Sequence, residues 1–532
     1  MEQREYWYKI IICIVGILLY IVNLDTMAVE IMEARNLVTV REMLQSGDWQ
    51  HPTMNGVLRL EKPPLPTWIT AISASIFGLK NLFFLRLPAA LMSIWLLFSM
   101  NSLVKRLTND KLLAMLSAIS LAGMLYVVML GRRETWDIYT HSFMLAAIVQ
   151  FVAMLQSVRP LRNALCGGIL FGAAFLSKGP VSLYALFLPF VLIYCWQYRP
   201  LFGKSKRAAL AIYIIIAFII SASWFVFLQL SLGNEAKEVL EGEVNNWHSY
   251  NVKPWYYYIK DYPVHSGLWT LILAIGLFTK YNYNKLRDKK AFSFFWLWTV
   301  ASILLLSIIP EKKVRYLLPT FIPASFLVGS YFYYLIKDYE RYKKPLDTVI
   351  LKIHTVIFMI VAVALPIGIY MLFYRTAVVG WITVAGVCLM SLFCIYLLWK
   401  VWSSDKKHIL IVGAILLLSS AILFFVPNSK YMLNPQFHSI GEVQKIQGLE
   451  GLPGYALEET RIELIWWTGR KIKEVQNLDG LQPPYMLLTN EKPTEYNLPS
   501  NYELIGHYDN NSKPEGHKYH HKSLSKYVVI VR

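Results

Sequence analysis

Glu61 and Lys62 stand side by side in NGVLRLEKPPLPTW (residues 55–68), with Pro63 and Pro64 directly after them. An apolar stretch, Trp68 to Phe77, comes next. The prolines stop any helix through the charged pair, so both side chains are presented at the edge of the apolar stretch. An ammonium in that place suits a phosphate, and most of all a phosphate that leaves during a reaction. The carboxylate beside it can orient the ammonium or hold a cation. A second basic group, Lys312, Lys313, Arg315 and Tyr316, lies in PEKKVRY (310–316) and suits the same anion. Glu33 and Arg35 open the stretch EARNLVTV, where an acid can serve as a base toward an incoming hydroxyl. Asp137 ends the turn GRRETWD (131–137), and an acid at the end of an apolar run is expensive unless it has a task. Arg132 and Arg133 offer a simpler use for it, as neutralising partners. Lys178, in LSKGP, reads equally as a headgroup-seeking lysine or as a ligand-binding one. His248 and Lys253 precede PWYYY (254–258), whose tyrosines read first as an interface belt.

Long apolar helices must hold these groups. The chain has 532 residues, 56% of them hydrophobic, and a mean hydropathy of +0.41. A spanning helix takes about 20 apolar residues, so the pattern predicts a polytopic membrane protein with about thirteen spans. They centre on 10–24, 82–104, 111–131, 138–157, 164–181, 181–198, 208–231, 266–279, 292–310, 316–336, 350–374, 378–399 and 408–426. The net charge of +18 does not argue for nucleic acid, because most basic residues sit in short loops between apolar runs. Those loops fall on one side, the cytoplasm, only if 63–79 is an interfacial or re-entrant helix that does not cross. The first segment then reads as an uncleaved span. The loop 25–65, the turns 131–137 and 310–316, the loop 232–265 and the tail from 427 all face outward.

The organisation expected is a membrane domain, 1–426, with an outer loop 25–79 carrying chemistry, and a small soluble α/β domain, 427–532. In the loop, Glu30 to Met43 has helical character and Ser46-Gly47-Asp48 ends it. In the tail, RIELIWW, YMLLTN, YELIGHY and KYVVIVR read as short strands. HKYHHK (517–522) reads as a solvated basic hairpin in preference to a metal site. The five cysteines all fall in apolar runs, against a disulfide framework. No phosphate-cradling GxxxxGK[ST] or GxGxxG loop occurs.

The stretch EARNLVTVREMLQSGDWQHPTMNGVLRLEKPPLPTW resembles the first outer loop of the aminoarabinose lipid A transferases and their protein O-mannosyltransferase relatives. Arg41-Glu42-Met43, Ser46-Gly47-Asp48-Trp49 and Leu60-Glu61-Lys62-Pro63 carry the resemblance. RETWDIY, LSKGP, PWYYY and VRYLLP extend it in order through about residue 335. The resemblance implies a GT-C-type membrane glycosyltransferase that takes a sugar, such as 4-amino-4-deoxy-L-arabinose, from a polyprenyl phosphate. The acceptor it implies is lipid A or another glycan or protein at the outer face of a bacterial inner membrane. Inversion at the anomeric carbon is the expected outcome. No nucleotide sugar or organic cofactor is required, and a divalent cation stays open.

The implied catalytic residues are Glu33 and Asp137. Arg35, Glu61, Lys62, Lys178, His248, Lys253, Arg315 and Tyr316 are the implied substrate-binding set, with membrane lipids alongside. The family's leading aspartate falls on Met32, so the implied carboxylate is carried by Glu33 or supplied from elsewhere, with Asp25 as a runner-up that sits too early for the spacing. Arg59 stands where the family has a tyrosine. Both departures point to a different sugar or acceptor. The rival readings are a lipid-linked glycan transporter or flippase, which calls for half-repeats and mid-membrane charges, and a polysaccharide ligase or polymerase.

Overall fold

The computed structural model describes residues 2–234, 237, 251–278, 283, 288–403, 406–431, 434 and 436–532. Helix α1 (Glu2–Gly16) runs on through a π-helical turn, Ile17–Ile21. The outer loop follows: α2 (Ile31–Ser46), a two-stranded hairpin of β1 (Thr53–Met54) and β2 (Val57–Leu58), and α3 (Leu65–Phe77). Next come α4 (Leu82–Thr108), α5 (Lys111–Ala122), α6 (Leu125–Gly131), α7 (Trp136–Gln156), α8 (Leu161–Lys178), α9 (Leu188–Tyr198) and α10 (Lys204–Leu232). Among the later helices are Lys289–Ile308, Leu318–Lys337, Pro345–Ile369, Trp381–Ser403 and Ile409–Ser420.

Each of the thirteen expected apolar runs holds helix. Seven helical segments among the described residues are long and apolar enough to cross a bilayer, and an eighth counts if the bent pair α5–α6 is one span. This is a multi-pass membrane protein. The run 111–131, expected as one straight span, bends by 70° between α5 and α6. The bend falls at Gly123, where a Cβ would come within 2.6 Å of the Trp269 indole. Helix α3 has 13 residues and is about 20 Å long, too short for a hydrocarbon core of about 30 Å. That agrees with a helix that does not cross. Proline in its first turn starts it and Gly78 ends it.

The helices that carry site residues pack closely. On α8, a Cβ at Gly168 would lie 2.8 Å from the Tyr213 carbonyl, and one at Gly172 would lie 2.4 Å from Ile220 Cβ. Only glycine lets α8 and α10 meet at that distance, as small residues do between membrane helices. Helix α7 packs on the other side of α8, so the first turn of α7 meets the last turn of α8.

The C-terminal segment forms a five-stranded sheet, β3 (Gly454–Ala456), β4 (Ile472–Glu474), β5 (Tyr485–Thr489), β6 (Tyr502–Asp509) and β7 (Ser525–Val531), in the order β4-β3-β5-β7-β6. The β3 pairings are parallel and those of β7 antiparallel. YMLLTN, YELIGHY and KYVVIVR supply strands as expected. RIELIWW does not: Ile462–Trp467 is a short helix. Its apolar run cannot be told from a strand by pattern alone. The buried Arg41 guanidinium binds the carbonyls that end it, Ile465 at 2.9 Å and Arg470 at 3.1 Å. Leu37, Val40 and Met43 of α2 share one apolar core with Ile440, Leu464, Met486 and Ile530. The outer loop and the sheet therefore lie on the same side of the helices.

Candidate active site

Local chain chemistry sets the stage first. The Arg59 N–H donates to the Pro52 carbonyl at 2.8 Å, which closes the β1–β2 hairpin. The Arg59 guanidinium then reaches the Arg35 carbonyl (2.9 Å) and Thr39 Oγ1 (3.2 Å) on α2, and lies 4.7 Å from the Trp136 ring. Arg59 thus joins the loop to the first turn of α7. Three residues on, Lys62 Nζ donates to the Glu61 carbonyl at 3.1 Å. The Glu61 carboxylate is half exposed and 3.8 Å from Arg59 Nε. Pro63 and Pro64 are buried beneath them.

Asp137, in the first turn of α7, pairs with Lys178, the last residue of α8, and both are buried. The Lys178 ammonium lies 5.0 Å from the Tyr316 ring centroid. Lys62 and Arg315 are both within electrostatic reach of Lys178. Tyr316 donates to Glu311 Oε2 at 3.2 Å, and Lys313 pairs with the same carboxylate. Backbone bonds Lys253 N to Pro310 O (3.2 Å) and Lys312 N to Asn251 O (3.3 Å) fasten 251–253 alongside. Lys253 is exposed there. His248 lies outside the described residues. The structure thus gathers Lys62, Asp137, Lys178, Arg315 and Tyr316, with Lys253 and Glu61 at the margin.

A cavity of about 430 Å³ borders this cluster at Tyr316. Its walls are apolar (Pro180, Val181, Leu183, Leu306) and Glu311 and Tyr316 close one end. A larger cavity, about 690 Å³, lies among α8, α9 and α10 on the other side of Leu183, with Phe171, Phe187 and Tyr213 in its wall. Among the described residues, no charged group lines the larger one.

Glu33 is elsewhere. It is fully buried and held by Arg86 through Nε–Oε1 (2.6 Å) and Nη2–Oε2 (2.7 Å). The Glu134 N–H adds a third bond at 3.1 Å. A base must reach the proton it takes, and this carboxylate is enclosed with both oxygens in use. The geometry suits it to bracing α2 against α4, not to accepting a substrate proton. Arg35 is half-buried on α2, and its carbonyl is the part seen in the network. Asp25 is exposed.

Four residues of this architecture escaped sequence reasoning. Arg86 could have been found, since it is a lone cation inside the apolar run 82–104. Glu134 stood in a quoted motif, yet its importance is spatial: it binds Asn36 (3.3 Å), Thr70 (2.6 Å) and Tyr139 (2.9 Å). Burial holds it well above the usual carboxylate range. Arg59 reads in the sequence only as a departure from the resembled pattern, and Glu311 is masked there by the basic residues around it. Among the described residues, no group of three His, Cys, Asp or Glu side chains could hold a metal ion.

Residues 61–224 match the family model described as dolichyl-phosphate-mannose-protein mannosyltransferase. The undecaprenyl phosphate-alpha-4-amino-4-deoxy-L-arabinose arabinosyl transferase of Wigglesworthia glossinidia brevipalpis is 26% identical over 350 residues, 63% of this chain and 59% of that protein. Its counterpart in an Enterobacter strain is 27% identical over 352 residues, 61% and 59% of the two chains. The chain thus spans about three-fifths of the length of these relatives. The crystal structure of ArnT from Cupriavidus metallidurans bound to undecaprenyl phosphate superposes with a TM-score of 0.72 at 17% identity, over 98% of this chain and 97% of that one. The chain has the ArnT fold. The resemblance seen in the first outer loop is thereby borne out, and so is the expected helical GT-C-type class with its small C-terminal sheet domain.

Proposed function

We propose that the protein is a membrane glycosyltransferase that moves a sugar from a polyprenyl phosphate to an acceptor at the outer face of the bacterial inner membrane. One observation carries this reading: the buried Lys178 ammonium lies 5.0 Å from the ring of Tyr316, which lines a largely apolar cavity, and Arg315 is next to Tyr316 in the chain. A lipid phosphate needs that combination, with apolar walls for the chain and cations for the head. The named relatives act on undecaprenyl phosphate-linked aminoarabinose, so that sugar is the first donor to test and lipid A the first acceptor. Met32 and Arg59, which depart from the family pattern, favour a related sugar or acceptor as the second.

In the proposed reaction the acceptor oxygen bonds to the anomeric carbon as the bond from that carbon to the phosphate oxygen breaks. The electron pair leaves on the phosphate, where Lys62, Arg315 and Lys178 offset its charge. Attack from the face opposite the phosphate inverts the centre. Asp137 orients Lys178, and Tyr316 lies beneath that ammonium. Glu61 flanks the site from the solvent side. An acceptor phosphate arrives ionised and needs no base, which fits a site whose nearest enclosed acids are already paired. The loop 25–79 and the 427–532 domain would then share the periplasmic side.

The test is transfer by the purified full-length protein from undecaprenyl phosphate-aminoarabinose to lipid A, read by mass spectrometry. Mass spectra of lipid A and surface glycans from cells with and without the protein identify any other acceptor. Identical spectra together with no transfer from any polyprenyl-phosphate sugar would sink the reading.

A further inference from the structure

The tip of the outer hairpin is Asn55-Gly56, with φ of +56° and +82°. That is the left-handed pair a tight two-residue hairpin demands. Asn55 is more than a turn residue. Its amide nitrogen donates to the Ile472 carbonyl at 2.8 Å, and its amide oxygen accepts from the Ile472 N–H at 2.9 Å. Ile472 opens β4, the edge strand of the C-terminal sheet. One side chain thus occupies the donor and acceptor that an edge strand would offer to a further strand.

The rest of the hairpin is braced to match. Glu42 Oε2 accepts from Thr53 Oγ1 at 2.7 Å and from the Gly56 N–H at 2.9 Å, and lies 3.9 Å from Lys471 Nζ. Arg41, next to it on α2, holds the end of Ile462–Trp467. The Arg41-Glu42-Met43 motif therefore has a physical account. Arg41 grips the sheet domain, Glu42 grips the hairpin and Met43 fills the core between them. From Asn55 the chain reaches Arg59 in four residues and Lys62 in seven. Arg59 is the contact that sets the loop against Trp136, beside Asp137.

We propose that Asn55 is a positioning residue, through which the C-terminal sheet sets the place of Lys62 and so the affinity for the lipid phosphate. The inference rests on the polyprenyl-phosphate reading given above. Asn55 touches no reacting group. It acts by fixing the hairpin that carries Arg59 and Lys62, and the sheet domain becomes part of the donor site without contributing a side chain to it.

Asn55→Gly is the test, since glycine keeps the left-handed turn and removes only the amide. Full-length protein in detergent micelles is titrated with undecaprenyl phosphate and assayed for transfer. Loss of two hydrogen bonds predicts a rise of about tenfold in Kd and in KM for the donor, and kcat falls with it, because the displaced Lys62 is also the contact to the leaving phosphate. Unchanged Kd and KM, or a loss confined to kcat, overturns the inference. Asn55→Asp keeps the acceptor for the Ile472 N–H, and a rise of about threefold is expected. Should Asn55→Gly fail to fold, an unchanged Kd in Asn55→Asp overturns the inference in its place. Wild-type protein that binds no undecaprenyl phosphate overturns the functional reading instead. Hydrogen exchange at the Ile472 amide then judges the docking: protection lost in Asn55→Gly supports it, and protection kept refutes it.

Discussion

Glu33–Arg86 and Asp137–Lys178 are both buried acid–base pairs, yet they are built differently. The first is saturated. Arg86 gives Nε and Nη2 to Glu33 and Nη1 to the Leu24 carbonyl (2.9 Å), while Glu33 takes a further backbone N–H. The second is open. Lys178 meets one oxygen of Asp137, faces an aromatic ring and has two more cations in reach. A saturated pair has nothing left to offer a ligand and serves the fold. An unsaturated pair against a tyrosine that lines a cavity, with further cations nearby, is poised for an anion. Saturation separates the two roles better than burial or residue type.

Arg86→Ala gives the largest effect expected from this contrast. It strands a buried carboxylate, and breaking such a pair costs about 3–5 kcal/mol. The yield of folded protein and its melting temperature in detergent should fall steeply, and a variant as stable as wild type breaks the comparison. Lys62→Ala comes next and should act on the other side of the divide. Stability stays, while transfer drops about two decades through the lost contact to the leaving phosphate. Lys62→Arg should restore little of it, because a planar fork does not replace a compact ammonium. Wild-type turnover by Lys62→Ala would remove the cation cluster from the mechanism.

Glu33→Gln sharpens the contrast with pH. A base at Glu33 would give an activity limb on the acid side that vanishes in the variant. With a structural Glu33 any acid limb belongs to the acceptor phosphate and is the same in both proteins, and the rate per folded molecule falls by less than about tenfold, below the two to four decades of a general base. A lost limb would return Glu33 to catalysis. The smallest effect is expected at Asp25, which is exposed at the mouth of the loop. Asp25→Asn should keep transfer within about twofold, as surface changes usually do. A dead Asp25→Asn beside a healthy Glu33→Gln would move the reaction centre to Asp25.

Periodicity and charge carried most of the membrane architecture, because apolar length is a one-dimensional property. The expected helix 30–43 in the outer loop appears as Ile31–Ser46, with Gly47 left-handed (φ +73°) at its end. Lys62, Lys178, Arg315 and Tyr316 were each visible as polar groups out of place beside apolar runs, and the fold brings them together. What the sequence withheld was saturation. Glu33 is paired across 53 residues with Arg86, and nothing local to EARNLVTV announces that partner. RIELIWW is ambiguous by pattern alone, and the carbonyls near its end bind a guanidinium more than four hundred residues away. The bend at Gly123 is likewise set by a ring, Trp269, from another helix.

The grip of Arg41 on Ile465 also has a meaning in time. The two residues are 424 positions apart, so the outer loop leaves the ribosome long before its platform exists. At about 5–20 residues per second, the wait is roughly 20–85 s. Until then the hairpin has no strand edge to rest on, and Arg41 and Asn55 are unpartnered toward the sheet. A nascent chain stalled before Ile465 would hold nearly all of its membrane helices and still lack the contacts that fasten its outer hairpin. The contacts that fasten the outer loop therefore form only after Ile465 and Ile472 have been made.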